Sequence, residues 1–85
     1  MEKELLELYS WVVRGKQRRA VLKALDGLKT PTQVKEKTKL GLNNVSDILR
    51  SFAEKGVAVC VNEGEKVGRL YRLTKKGRYI NEKLS

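Results

Sequence analysis

Apolar positions recur at helical spacing along the opening stretch "MEKELLELYSWVVRG". Leu5, Tyr9, Val12 and Val13 fall on one stripe, with Leu8 and Trp11 beside it. That face is wide for so short a helix, and Gly15 breaks it. In "KQRRAVLKALDG", Val21, Leu22 and Leu25 share one face of a second helix that stops near Gly27. "TPTQVKEKTKL" then carries a start signal for a short third helix. The Thr30 side chain can accept from the Gln33 amide, and the Gln33 side chain can reach back to the Thr30 amide. Pro31 takes the first helical position, where no amide is missed. A turn through Lys39, Leu40, Gly41 and Leu42 leads to Asn43, whose side-chain oxygen suits the N-cap of a fourth helix. That helix runs to about Lys55 and is closed by Gly56.

Within the fourth helix Val45, Ile48, Leu49 and Phe52 stand at i, i+3, i+4 and i+7, which commits one face to the core. Asn43, Asp47, Arg50 and Glu54 lie farthest from that stripe, with Asn44, Ser46 and Ser51 on its shoulders. Val21, Leu25, Val34, Leu42, Val45, Leu49 and Phe52 supply the core of a three-helix unit. Beyond Gly56, "VAVCVN" and "RLYRLT" are rich in β-branched and aromatic residues and flank the polar "EGEKVG". They predict a hairpin with a projecting loop of about six residues, with Lys66 in the loop and Arg69 at its base. Thr74 can cap a last helix, "KKGRYINEKLS", whose apolar residues are Tyr79, Ile80 and Leu84. The fold class expected is α+β, mostly α.

Length and composition narrow the function. A chain of 85 residues predicts a single domain over 1–85, with 1–14 as an N-terminal interaction helix. No apolar run approaches the roughly 20 residues of a membrane span, and the acidic start lacks the pattern of a secretory signal. A cytoplasmic protein without a membrane partner is the expectation. Cys60 is the one cysteine and there is no histidine, so neither an internal disulfide nor a Cys/His metal site is expected. The absence of a Ser/His or Cys/His pair, of HExxH and of a Gly-rich phosphate loop argues against an enzyme, and no cofactor is expected. Nineteen Lys and Arg against ten Asp and Glu give a net charge of +9, the footprint of a domain that meets a polyanion.

Two short helices around a tight turn, followed by a hairpin and a last helix, are the order of a winged helix-turn-helix. "TPTQVKEKTKLGLNNVSDILRSFAEKGVAVCV" followed by "GRLYRLTKKGRYI" resembles the MarR-like and ArsR-like transcriptional regulators, especially small archaeal members. The resemblance runs from about Tyr9 to Ile80. Its most specific pieces are "LNNVSDIL", "EKGV" and "RLYRLTKKG". The family commonly has Gly where this chain has Lys39 and a small residue where it has Lys35. The resemblance implies a recognition helix over about 43–55 in the major groove and a wing over about 62–69 at the backbone or minor groove of duplex DNA.

By position, Asn44, Ser46, Asp47 and Arg50 become base-reading candidates. Lys35, Lys37, Lys39, Asn43 and Ser51 become backbone contacts, and Lys66 and Arg69 the wing pair. Independently of the family, Arg50 can give two parallel donors to guanine, and Asn44 can pair its amide with adenine. The competing reading places Arg50 in an ion pair with Asp47 or Glu54 on a solvated surface. Lys16, Arg18, Arg19 and Lys23, together with Arg72, Lys75 and Lys76, are further sources of phosphate contacts. Leu5, Leu8, Tyr9, Trp11 and Val12 exceed what the three-helix core needs and predict a homodimer interface. The alternative is that the first helix packs on the Tyr79, Ile80 and Leu84 face within one subunit. A second functional reading is a winged-helix module that docks protein or RNA in transcription or replication machinery.

Overall fold

The computed structural model describes residues 2–84. It is α+β and mostly helical: α1 (Lys3–Val13), α2 (Lys16–Ala24), α3 (Pro31–Thr38), α4 (Leu42–Lys55), β1 (Ala58–Cys60), β2 (Tyr71–Leu73) and α5 (Lys75–Leu84). Among the described residues no helix is long and apolar enough to cross a membrane.

The start of α3 follows the sequence closely. Thr30 Oγ1 accepts from the Gln33 amide at 3.2 Å and Gln33 Oε1 accepts from the Thr30 amide at 2.9 Å, with Pro31 at the first position. α3 ends on Lys39 in the left-handed conformation, φ 65°, where a glycine would sit without strain. The α4 N-cap differs from expectation. It is Gly41, in extended backbone at φ −66° and ψ 147°, and no side chain caps this end. Asn43 therefore stands in the first turn of α4 as an exposed residue, and not as its cap. Gly caps almost as well as Asn, so starting the helix at Leu42 costs only a few tenths of a kcal/mol. Gly56 closes α4 with φ 80°.

Val45, Leu49 and Phe52 of α4 are fully buried against Val21, Leu22, Val34, Val57 and Ile80. Leu42 departs from the expected core and is 43% exposed. β1 and β2 pair antiparallel in the register Ala58↔Leu73, Val59↔Arg72 and Cys60↔Tyr71. The strands are shorter than the sequence pattern, and the connection widens to residues 61–70. The side chain of Asn62 organises it, donating to the Gly68 carbonyl at 3.1 Å and accepting from the Leu70 amide at 2.7 Å. On the other edge of β2, Lys29 forms an isolated bridge to Tyr71, with both amides donating across it at 3.0 and 2.9 Å.

α1 is fastened to its own subunit. Val12 is fully buried, and Leu5, Leu8, Tyr9 and Trp11 pack partly buried against the same core, as do Leu84 and Ile48. The Trp11 ring meets Phe52 edge-on at 5.8 Å, with the Arg18 guanidinium 4.6 Å and the Lys55 ammonium 5.0 Å from its centroid. Arg18 also donates to the Trp11 carbonyl and Arg19 to the Val13 carbonyl. These cations cap the C-terminal end of a helix whose last turn has no basic residue of its own. Gly15 makes room for this, since a Cβ there would lie 2.8 Å from Arg18 Cδ. Val12 is thus a core residue and no part of a docking face. Much of the apolar excess read as an interface is used by intrasubunit packing.

At the far end Thr74 caps α5. Its Oγ1 accepts from the Gly77 amide at 3.2 Å and donates to the Gly56 carbonyl at 2.6 Å. Its amide donates to the Val57 carbonyl at 3.0 Å.

Candidate nucleic-acid interface

The first turns of α3, one side of α4 and the β1–β2 connection enclose an open groove of about 580 Å³. Three basic side chains line it: Arg50 from α4, and Lys66 and Arg69 from the connection. Ser46, Thr30 and Thr32 supply hydroxyls, and Pro31, Leu42, Val67 and Tyr71 supply apolar walls. Among the described residues that line the groove none is acidic. Its field therefore favours an anion.

Arg69 and Arg50 each have a polar partner. Arg69 Nε donates to the Glu65 carbonyl at 2.8 Å, which ties the base of the connection to its tip. Lys66 and Val67 are exposed at that tip, Val67 to 86%. Gly68 holds the turn beside them at φ 72°. Arg50 Nη1 lies 3.5 Å from Asp47 Oδ1, with the two side chains 66% and 71% exposed. The expected competing ion pair therefore forms, but a pair so exposed contributes only about 0.2–0.5 kcal/mol. It holds Arg50 loosely.

Members of two expected groups thus meet in one groove, Ser46 and Arg50 of the base-reading set with Lys66 and Arg69 of the wing pair. Asn44 and Asp47 are exposed on α4 outside its lining, as are Asn43, Lys35 and Lys39 nearby. Two backbone candidates are turned elsewhere. Lys37 points to the α2 side, where its ammonium bonds Asp26 Oδ1 at 2.9 Å. Asp26 also receives Lys29 at 3.2 Å, and the hydrogen bonds from Lys37 and Lys29 hold its carboxyl down from 3.8 to about 2. The Ser51 hydroxyl donates back to the Asp47 carbonyl at 3.0 Å, a bond within its own helix. Arg18 and Arg19 are likewise engaged at the end of α1, so they are not free phosphate contacts.

Sequence reasoning missed Leu42, Val67 and the α3 tip as groove walls. The Thr30 capping box located the tip, but what it faces depends on where the hairpin folds. Comparison with protein-family models, curated proteins and solved structures gave no significant match to this chain.

Proposed function

We propose that the chain is a winged helix-turn-helix protein that binds double-stranded DNA sequence-specifically and acts as a transcriptional regulator. In this reading α3, the Lys39–Gly41 turn and α4 form the helix-turn-helix, and the β1–β2 connection is the wing. The observation that carries it is the convergence of Ser46 and Arg50 with Lys66 and Arg69 on one acid-free groove. α4 enters the major groove. Arg50 exchanges Asp47 for guanine O6 and N7, a trade favoured because a bidentate base contact is worth about 1–3 kcal/mol and the surface pair a fraction of that. Lys66 and Arg69 meet the sugar-phosphate backbone and fix the register. Exposed Lys35 and Lys39 reach flanking phosphates.

A homodimer completes the proposal. On α1, Leu6 is 51% exposed, and with half-buried Val13 at i+7 it forms an outward stripe beside the one turned to the core. Two copies joined along that stripe would offer two reading helices to half-sites about 34 Å apart. The test of DNA binding is an electrophoretic shift with genomic fragments under excess nonspecific competitor. Retention of a discrete subset of fragments supports the reading, and uniform loss of every shift refutes it.

A further inference from the structure

We infer that Leu42 is a base-reading residue that packs on the C5-methyl of a thymine in the major groove. The inference rests on the duplex-DNA reading above and assigns a further specificity residue to it. Helical spacing places Leu42 in the core, yet it is 43% exposed and lines the basic groove. Its neighbour across Gly41, Leu40, takes the inward position and packs against the core. Leu42 is thus a large apolar residue that the fold leaves at the opening turn of α4, the part of a recognition helix that meets base edges.

Leu42, Ser46 and Arg50 stand at i, i+4 and i+8, so they form one ridge along α4 about 12 Å long. Arg50 offers donors suited to guanine, and Ser46 can bond either partner of several pairs. Neither discriminates thymine. The thymine methyl is the one apolar group on the major-groove edge of a base pair, and an exposed leucine is its chemical complement. Of the other exposed large apolar residues, Leu6, Leu28 and Val61 do not line the groove, and Val67 lines it from the β1–β2 connection and not from α4.

The test uses the full chain and the duplex it selects from a random pool. Each thymine is replaced singly by deoxyuracil, which removes only the methyl, and dissociation constants are measured for wild type, Leu42→Ala and Leu42→Met. One replacement is expected to weaken wild type and Leu42→Met about fourfold, the effect of losing one buried methyl. Leu42→Ala should bind the thymine duplex more weakly from the start and be indifferent to that replacement. Unchanged thermal melting of Leu42→Ala separates a lost contact from a lost fold. The inference is overturned if no deoxyuracil weakens wild type, or if the same replacement weakens Leu42→Ala equally. Failure of wild type to prefer any duplex overturns the DNA-binding reading and this inference with it. Selective binding without methyl sensitivity overturns this inference alone.

Discussion

Gly77 stands in the first turn of α5, where the helix passes directly over the end of α4 and the start of β1. A Cβ built at this position would lie 2.1 Å from the Val57 carbonyl oxygen, 3.2 Å from its carbon and 3.1 Å from Leu73 Cδ2. The first contact is with backbone, which cannot rotate away as a side chain would. In Gly77→Ala α5 must therefore withdraw by about 1 Å, since overpacking in a close-packed interior is relieved only by backbone shifts. Such overpacking costs about 1–3 kcal/mol. Withdrawal also stretches the bonds from the Thr74 amide and hydroxyl to the Gly56 and Val57 carbonyls, worth about 1 kcal/mol more. Alanine returns up to about 1 kcal/mol through helix propensity. The net expectation is a loss of about 2 kcal/mol, or a fall of about 8–16 °C in melting temperature for a domain of this size. Thermal and urea unfolding followed by circular dichroism measure it. An unchanged or raised melting temperature would refute the claim that this glycine is required by close approach.

Other variants probe separate parts of the structure. Lys39→Gly should stabilise the fold by about 0.5–1 kcal/mol in urea unfolding, because relief of the left-handed strain exceeds the entropy glycine adds to the unfolded chain; a loss of stability would contradict this. The folded Asp26 carboxyl titrates at about 2, below its ordinary 3.8, so its pairing with Lys37 and Lys29 stabilises above that ordinary value and is lost as pH falls through the folded one. The stability gap between wild type and Asp26→Asn should therefore shrink from about pH 5 to about pH 2, and a gap that stays constant would be inconsistent with the pairing. Arg50→Ala should relax preference at one base pair at a cost of about 1–3 kcal/mol in binding-site selection. Lys66→Ala should instead weaken all duplexes and lower the salt slope by about one. Wild type should sediment as a dimer on its site and Leu6→Lys as a monomer; a wild-type monomer both free and bound would remove the dimer from the account.

What the sequence could announce was local. The capping box at Thr30, the break at Gly15, the stop at Gly56 and the cap at Thr74 are each made by residues a few positions apart, and all four are where their chemistry places them. The inward stripe of α4 is equally plain from its spacing. Long-range features left no such trace. The Lys29 bridge to Tyr71 pairs a single residue, so it has no periodicity. Arg18 and Arg19 read as phosphate ligands until the end of α1 is seen in front of them. Leu42 reads as core because a pattern counts apolar residues without counting the space available to them. The width of the α1 face was visible, but α5, which packs against it, comes from distant sequence. Of the candidate site, the cations and Ser46 were identifiable by type and position, whereas the groove that joins them depends on the tertiary placement of the hairpin.

In the proposed function, the groove between α4 and the β1–β2 connection is the surface that meets duplex DNA. Titrating the isotope-labelled chain with its selected duplex and following backbone amide resonances tests this directly. The largest shifts are expected on Leu42, Ser46 and Arg50 and on Lys66 to Arg69, with α2 and the Asp26 corner little changed. Shifts concentrated on α2 and the Asp26 corner, with the groove residues unmoved, would contradict it.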